Sequence, residues 1–576
     1  MKKRCLHIGS MGKGFRARVY ILASVFWCVL ALAPGLTHAQ VIGPADAGRI
    51  EQRIEPLETR PTLAAPKAPI SVMPSERAPE GSAKIAFVLR GVRFENLHAF
   101  SDHEVRDLYA PYLDKEITLD VVWMIAGRLT ERYQAAGYFL SRAYVPQQEI
   151  EDGFVRIRVV EGYVDEIGLD DKLKGNALVV EWLDRLREEK PLKVSSLESM
   201  LLRLNDLPGV EVRSVLEQPA GDAPEGAVKL NMVSLHEKDV ARISFDNFGS
   251  RYLGPYEFTG QYSTSLIENQ RTSVSLLGAK QLEELRYGSI RHEMPVMFGG
   301  MVDVSAGRTI TQPGYTLKRQ GIESVSDSFG VGFAYQWIRQ RDENFNTRIA
   351  FDSRDTSSDI FDGLLEITRD HVRAFRASAD YQVSDGWNGY NSMTATLSQG
   401  TSLFGASEAG SRNLSRAEAR PDFTKLELGY TRLQQITSQW GALGSVNGQI
   451  ASGPLYSSEE FGYGGQAFGR AYDSSEITGD HGIAASLEIR YNGLPSWVGI
   501  SFAPYGFYDI GSIWNDDAGQ EQQASGSSTG LGMRVASELG ITANLGMALP
   551  LTRAVAAPLD GNGKNPRYVL QLSYDF

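Results

Sequence analysis

The chain has 576 residues and a formal net charge of -12, from 58 Lys and Arg against 70 Asp and Glu. This length exceeds what one compact core can organise, so several domains are expected. The acidic balance argues against a nucleic-acid-binding protein, because no large basic surface could gather phosphates. The 42% of hydrophobic residues excludes a disordered chain. Beyond the N-terminus, no run approaches the ~20 apolar residues of a membrane-spanning helix.

The first 39 residues are typical of a secretory signal peptide. Met1 to Arg18 carries six Lys or Arg and no acid, the apolar run Val19 to Ala33 follows, and small residues before Ala39 predict cleavage there. An uncleaved anchor is the alternative, although 15 apolar residues are short for one. Both cysteines of the chain, Cys5 and Cys28, lie in this segment. The exported chain would therefore have no thiol for catalysis, disulfides or metal binding.

Residues 40–57 contain a short predicted helix, and residues 58–83 form a predicted linker. Ile50 and Ile54 lie at helical spacing, which predicts an amphipathic helix from Ala45 to Glu55. The prolines that recur through the following segment indicate a stiff, extended and solvated tether. The helix on its tether is a candidate for a movable plug, and an unstructured N-terminus is the alternative.

Residues 84–162 and 163–237 are predicted to be two copies of one unit, ordered strand, helix, helix, strand, strand. In the first copy, a capping box at Ser101 predicts a helix toward Leu113. A longer amphipathic helix is predicted from Leu119 to Ala136.

The second copy repeats the pattern, with one helix predicted from Asn176 to Arg187 and another capped at Ser195. Each copy is then a small α+β domain with an open sheet edge. Because an exposed edge can accept an extended peptide as an additional strand, these domains are candidates for recognition. The alternative is a spacer that holds two other parts of the protein apart.

From residue 238 to Phe576 the sequence alternates apolar and polar residues and contains no convincing helix. In water such strands would form a sandwich, but after an export signal they favour a transmembrane β-barrel. About 339 residues at roughly 20 per strand and turn predict about 16 strands. The aromatic terminal residue Phe576 is a candidate barrel signal. The expected fold class is therefore α+β domains followed by an all-β barrel with a wet lumen.

One segment of the predicted barrel breaks the alternation. Residues 461–473 cluster glycines around Arg470 and include Gly464, Gly465, Phe468 and Tyr472. Glycines permit tight turns, so this segment can fold into the lumen and present its arginine there.

A strand about forty residues later carries Phe507 and Asp509 on one face, and an acid cannot face lipid. An inward Asp509 and an infolded Arg470 are natural partners for two charge-assisted hydrogen bonds. Such a pair would lock the loop inside the pore. Alternatively, Arg470 reaches only surface lipopolysaccharide or water, and Asp509 is one of many lumen acids.

The glycine-rich segment around Arg470 resembles the Val-Arg-Gly-Tyr/Phe loop motif of the two-partner secretion transporters (TpsB family, of the haemolysin and filamentous-haemagglutinin secretion and activation type). Phe507-Tyr508-Asp509 resembles the Phe-x-Asp strand motif of the same family. The resemblance implies two POTRA domains, a 16-stranded barrel, a plug helix and pairing of this Arg with this Asp. Gly469 and Ala471 depart from the motif, which leaves the charges intact but puts the local backbone geometry in doubt.

The expected function is that of an outer-membrane pore of a Gram-negative bacterium, with its POTRA domains in the periplasm. It would recognise and translocate a large unfolded exoprotein, an adhesin or haemolysin, without ATP. A barrel assembly factor is the first alternative and a passive porin the second. No cofactor, metal or enzymatic activity is expected, and a barrel lipase remains formally open. The other expected partners are outer-membrane lipid and, during biogenesis, the barrel assembly machinery, for a monomer that binds no nucleic acid.

Overall fold

The computed structural model describes residues 43–54, 77–219, 221–235, 239–279 and 282–576. The predicted signal peptide and most of the predicted linker lie outside these ranges. The described chain forms two small α+β units followed by one closed barrel. Within the described residues, every helix is too short or too polar to cross a membrane.

The first α+β unit is built on a sheet covered by one long helix. Its elements are β1 (Ala86–Leu89), β2 (Gly91–Glu95), α1 (Asp102–Val105), β3 (Lys115–Thr118), α2 (Leu119–Ala135), β4 (Arg142–Tyr144) and β5 (Phe154–Val160). Strands β2, β5 and β4 form one sheet in that order, with β2 parallel to β5, while β1 pairs with β3. The apolar face of α2 buries Val122, Ile125 and Leu129 completely, so the predicted amphipathic stripe forms the core.

The helix that begins after Ser101 is much shorter than predicted. The capping box is present, with the Ser101 backbone N–H donating to Glu104 Oε2 at 2.8 Å. However, α1 ends at Val105, and two single 3-10 turns replace the rest of the helix expected toward Leu113. Pro111 lies in the second turn, and a proline lacks the N–H that a continuing α-helix would need.

The second unit repeats the sheet order of the first. Its elements are β6 (Tyr163–Leu169), α3 (Asp171–Gly175), α4 (Ala177–Arg187), α5 (Val194–Asp206), β7 (Glu211–Glu217) and β8 (Ala227–Leu235). The sheet order is β6, β8, β7, which leaves β7 as an edge strand. The predicted cap at Ser195 is wrong, because α5 begins at Val194 after an extended Lys193. The Val194 N–H donates to Gly137 O of the first unit at 2.9 Å, which fixes the start of the helix.

The barrel closes on itself with sixteen antiparallel strands, as predicted. They are β9 (Val240–Asp246), β10 (Glu257–Thr264), β11 (Arg271–Ala279), β12 (Leu285–Met297), β13 (Gly300–Thr311), β14 (Glu323–Arg339), β15 (Glu343–Ile360), β16 (Leu365–Ser384), β17 (Gly389–Gly400), β18 (Thr424–Gln435), β19 (Trp440–Ala451), β22 (His481–Tyr491), β23 (Ile500–Trp514), β24 (Gln523–Ser537), β25 (Ile541–Pro550) and β26 (Arg567–Asp575). Two further strands, β20 (Phe461–Tyr463) and β21 (Ile477–Gly479), pair only with each other.

Side chains alternate between the two surfaces of the barrel wall. On β23, Tyr508 and Ile510 are 45% and 47% exposed, whereas Phe507 and Asp509 are 5% and 0% exposed. The first pair faces outward and the second faces the lumen. A closed wall with an apolar outer surface satisfies every strand hydrogen bond without water, as a membrane requires.

The barrel closes where its last strand meets its first. β26 pairs with β9 from Gln571–Asp246 to Asp575–Arg242. This ladder has fewer residue pairs than the ladder between any other two neighbouring strands of the barrel. Beyond it, the backbones of Phe576 and Ala241 exchange two hydrogen bonds of 2.9 Å. The predicted barrel signal Phe576 therefore completes the closing ladder.

The two rims of the barrel differ in the length of their connections. At the rim that carries Phe576, the turns are short, for example residues 298–299 and 340–342. At the opposite rim, residues 401–423 and 452–480 form long loops. This asymmetry matches outer-membrane barrels, in which the short turns face the periplasm and the long loops face outside.

The second α+β unit contacts the short-turn rim. Asp206 accepts from Arg339 Nε and Nη2 at 2.6 and 2.8 Å. The ring of Trp182 lies edge-on to that of Phe298 with 5.1 Å between centroids, and the Arg203 guanidinium lies 4.9 Å from the same Phe298 ring. The unit is therefore held against two neighbouring turns of the barrel.

Candidate functional site

The loop of residues 452–480 folds back from the long-loop rim into the lumen. Its stem is the β20/β21 hairpin, and its tip carries Arg470. Wall glycines make room for the loop, since a Cβ at Gly511 would lie 2.2 Å from the Tyr463 ring, and one at Gly526 would lie 2.7 Å from it. The barrel wall is therefore shaped to accept this ring.

The glycines of the tip adopt conformations that other residues rarely reach. Gly464, Gly465 and Gly469 have φ of 120°, 104° and 77°. A β-branched residue at Gly469 would be strained, and its Cβ would lie 2.8 Å from the Tyr463 ring. The departure from the family motif at this position therefore accompanies a left-handed backbone immediately before Arg470.

The structure brings Arg470 and Asp509 together. Arg470 Nε donates to Asp509 Oδ2 at 3.1 Å, Nη2 donates to Oδ1 at 2.9 Å, and the Arg470 backbone N–H donates to Oδ2 at 3.0 Å. The hydroxyls of Ser486 and Ser528 donate to the same carboxylate at 2.8 and 3.3 Å. The loop is thus bound through both backbone and side chain to a fully buried acid, with the bidentate geometry that arginine favours.

A second wall acid, Glu488 on β22, completes the site. Its Oε2 accepts from Arg470 Nη1 at 2.7 Å, and its Oε1 accepts from Arg490 Nε at 2.6 Å and lies 2.9 Å from Arg534 Nη2. Glu488 is 2% exposed. Three guanidinium groups therefore share two buried carboxylates. Glu488 is not among the residues predicted from the sequence, although the rule that an acid cannot face lipid applies to it as well.

Aromatic residues surround the charged groups. The Arg470 guanidinium carbon lies 3.7 Å from the centroid of the Phe507 ring, so Phe507 covers the cation. The Tyr472 hydroxyl lies 3.0 Å from Ser527 O and 3.1 Å from Arg553 O. Phe468 packs, partly buried, against the same cluster. Of the predicted supporting residues, Phe468, Tyr472 and Phe507 thus lie in one apolar cluster at the loop tip, and Gly464 and Gly465 lie in the turn that precedes it.

The N-terminal segment also lies inside the barrel, but it is not the α-helix predicted from Ala45 to Glu55. It forms three single 3-10 turns, Gly43–Ala45, Ala47–Arg49 and Glu51–Arg53. The Asp46 side chain accepts from Gly48 N at 2.8 Å, which caps a new turn where a continuous helix would need a backbone bond.

The apolar side of this segment contacts the barrel wall. Ile50 is 2% exposed and packs in a cluster with Leu253, Leu285 and Tyr287, and Ile54 lies at the edge of that cluster. The two isoleucines predicted to share an apolar face do so. The pattern indicated the face correctly, although the backbone that presents it differs.

The polar side chains of the segment join the loop to the wall. Arg49 Nη1 donates to Ser457 O at 2.8 Å, and Gln52 Nε2 donates to Ser458 O at 3.1 Å. On the other side, Arg53 Nη2 lies 2.8 Å from both carboxylate oxygens of Glu257. The segment therefore fills the space between the neck of the loop and the first strands of the barrel.

Arg53 also neutralises a pair of like charges. Glu257 on β10 and Asp246 on β9 are direct cross-strand partners next to the closing ladder. Two carboxylates at such positions repel each other, and the Arg53 guanidinium offsets that repulsion. The sequence offered no signal for this contact, because its partners lie some 200 residues apart.

Two family models match the chain. Residues 87–162 match the POTRA domain, ShlB-type, and residues 305–533 match the haemolysin secretion/activation protein family ShlB/FhaC/HecB. The second match includes the loop of residues 452–480, Arg470 and Asp509.

The similarity to other proteins covers most of the chain. The heme/hemopexin transporter protein HuxB of Haemophilus influenzae strain 86-028NP is 24% identical over 93% of this chain and 96% of its own. The structure of CdiB from Escherichia coli superposes with a TM-score of 0.70 at 18% identity, covering 88% of this chain and 94% of that one. BamA from Haemophilus ducreyi lacking POTRA domains 1-3 reaches a TM-score of 0.50 at 10% identity, over 85% of this chain and 99% of its own, a likeness of fold alone.

Proposed function

The chain belongs to the outer-membrane transporters of two-partner secretion, and we propose that its lumen carries one large exoprotein across the outer membrane while that protein is unfolded. One observation carries this proposal. A closed sixteen-stranded barrel holds two separate short segments of the chain in its lumen. They are the loop of residues 452–480 and the N-terminal segment. Release of the N-terminal segment, with the loop held against one side of the wall, would leave a passage lined by polar side chains.

The proposed arrangement of domains follows the chain. The signal peptide would comprise residues 1–39, the plug 40–57, the linker 58–83, the two POTRA domains 84–162 and 163–237, and the barrel 238–576. The barrel lies in the outer membrane and the POTRA units lie in the periplasm. They lie at the short-turn rim, and an exported polypeptide arrives from that side of the barrel.

We assign the lock to Arg470 and Asp509, with Glu488 as its second acid. The two charge-assisted bonds to Asp509, and the covering Phe507 ring, hold the tip against β22 and β23. During transport, this contact would keep the loop on one side of the lumen, where it supports an open channel.

The plug would leave the lumen before or during transport. Its contacts are one apolar patch around Ile50 and polar contacts from separate side chains, of which Arg49 reaches the loop of residues 452–480 and Arg53 reaches the wall. No ATP is required in this scheme, since folding of the exoprotein outside would draw the chain outward. The edge strand β7 would pair with the incoming signal region of the exoprotein.

The first alternative is an insertase for other barrels, which would use the same parts. The described residues contain two α+β units ahead of the barrel, and the likeness to BamA is one of fold. A passive porin would not need the periplasmic units. The proposed transport involves no cofactor and no catalytic step. Exoprotein, outer-membrane lipid and the barrel assembly machinery are its proposed partners, and a monomer its proposed state.

Deleting the gene and analysing the culture medium tests the proposal. Loss of one large secreted protein, with normal levels of other outer-membrane barrels, is the expected result. A general loss of barrels would instead support the insertase. A change confined to small-solute uptake would support a porin, and both of these results would overturn the proposal.

A further inference from the structure

A second buried arginine lies at the outer mouth of the barrel. Arg416 belongs to the loop of residues 401–423, between β17 and β18, yet its side chain is 0% exposed. Its Nη1 donates to Leu455 O at 3.1 Å and also to the Asp480 carboxylate, to which Nη2 donates at 3.0 Å. Leu455 and Asp480 lie near the two ends of the loop of residues 452–480. One guanidinium therefore joins both sides of the neck of that loop.

Several acids converge on this guanidinium. Glu460 lies 3.2 Å from Nη1 of Arg416, and Asp517, from the next long loop, lies 4.0 Å from Nη2. Asp480 is itself fully buried. Without the arginine, these carboxylates would be left close together and largely out of water, without the cation that binds them. Arg416 therefore supplies a cation that these acids share.

Apolar contacts place the rest of the loop of residues 401–423 across the neck. Leu414 and Phe423 of this loop cluster with Leu455 and Tyr456 of the neck. The Tyr456 hydroxyl donates to Ser407 O at 3.3 Å. The loop of residues 401–423 thus covers the neck on the outer side. The Arg416 side chain extends from this loop to the neck.

We propose that Arg416 is a positioning residue that fixes the neck of the loop of residues 452–480 and closes the outer mouth of the lumen. It acts separately from Arg470, which holds the tip of the same loop at the wall. The importance of this contact for transport rests on the proposed function, because the exoprotein must leave through this mouth. The contact itself does not depend on any exoprotein.

Cysteine labelling from outside the cell tests the closure. Ser458 lies in the neck and is 2% exposed, so Ser458→Cys reports opening of the neck to a membrane-impermeant maleimide. In this background, Arg416→Ala is expected to raise the labelling rate about tenfold or more. The matched control is Arg420→Ala in the same loop, whose side chain is 64% exposed and pairs with Asp422 at 2.9 Å. This control is expected to leave the rate unchanged.

Two further variants separate positioning from folding. Arg416→Lys should give an intermediate rate, since lysine keeps the charge but cannot bridge Leu455 O and Asp480 as a fork. Arg470→Ala should leave neck labelling near the starting rate. Heat-modifiable migration on gels would verify that each barrel is folded.

Equal labelling of the Arg416→Ala and Arg420→Ala variants in folded barrels would overturn the proposal. So would an Arg470→Ala variant that labels as fast as Arg416→Ala, because the neck would then depend on the tip. Neither result bears on whether an exoprotein is secreted, which the gene deletion tests independently.

Discussion

The two segments that occupy the lumen are held in different ways. The loop tip binds a fully buried carboxylate through its backbone N–H and two guanidinium nitrogens of one residue, Arg470. The N-terminal segment spreads its bonds over Arg49, Glu51, Gln52 and Arg53, each of which reaches a different partner. From this difference we expect the tip to stay fixed in the lumen and the N-terminal segment to be released one contact at a time.

The largest expected effect is that of Arg470→Ala. This change leaves Asp509 buried with two hydroxyl donors and the backbone N–H of residue 470 but without its cation, which costs about 3–5 kcal/mol of the free energy that docks the loop. Export should be lost, while the barrel remains inserted because its strand ladders are unchanged. The measurements are the amount of exoprotein in the medium and protease cleavage of the loop of residues 452–480. Normal export by the variant would show that the tip is no lock.

Deleting residues 45–55 should have the next largest effect. Removal of the segment empties the space between the neck and β10, so single-channel conductance in planar bilayers should rise severalfold. The loop tip should remain protected from protease, because none of its bonds to Asp509 involves the segment. An unchanged conductance would mean that the segment does not obstruct the pore.

Arg53→Ala should release the segment without deleting it. The change leaves Glu257 opposite Asp246 without their shared cation, at an expected cost of about 2 kcal/mol to the seated segment. The fraction of time spent in the open state should therefore rise in single-channel records. Glu51→Gln is the matched control, since the Glu51 side chain is 36% exposed and its pair with Arg354 is partly solvated. An equal rise of the open fraction in both variants would contradict the proposal that Arg53 holds the segment more strongly than Glu51 does.

Tyr472→Phe should weaken the tip by a smaller amount. The lost hydroxyl contacts backbone oxygens of Ser527 and Arg553, and its removal is expected to cost about 1 kcal/mol. Protease cleavage of the loop should become measurably faster, while export continues. Tyr508→Phe serves as the control, because that ring faces outward. If the control accelerates cleavage as much, the effect is not local to the tip.

A further expected effect is a dependence of loop docking on pH. Burial raises the pKa of Glu476, in the loop, to about 7 from an ordinary 4.5. The docked loop thus favours the neutral carboxyl, and this stabilisation is complete below pH 4.5 and is lost as the pH rises through about 7. Protease cleavage should be slower at pH 5 than at pH 8. Glu476→Gln should reduce the difference, and an unchanged difference would assign it to other groups.

The sequence predicted the barrel well because period-two alternation is a local property. The same rule that places Asp509 inside also places Glu488 inside, and the loop motif added Arg470. The turns around Ala45 to Glu55 were predicted as a helix because two isoleucines four residues apart fit both structures. The partners of Arg53 could not be predicted, since a contact between a terminal segment and β10 depends on the closed barrel.

The contact of the second α+β unit with the barrel has a consequence for the proposed exoprotein. Asp206 and Trp182 hold the unit on adjacent periplasmic turns. The orientation of its edge strand β7 relative to the pore entrance is therefore fixed before any polypeptide binds. A polypeptide that pairs with that strand would already point toward the pore entrance. The time until it reaches the lumen would then depend on its length alone and not on a rotation of the α+β unit.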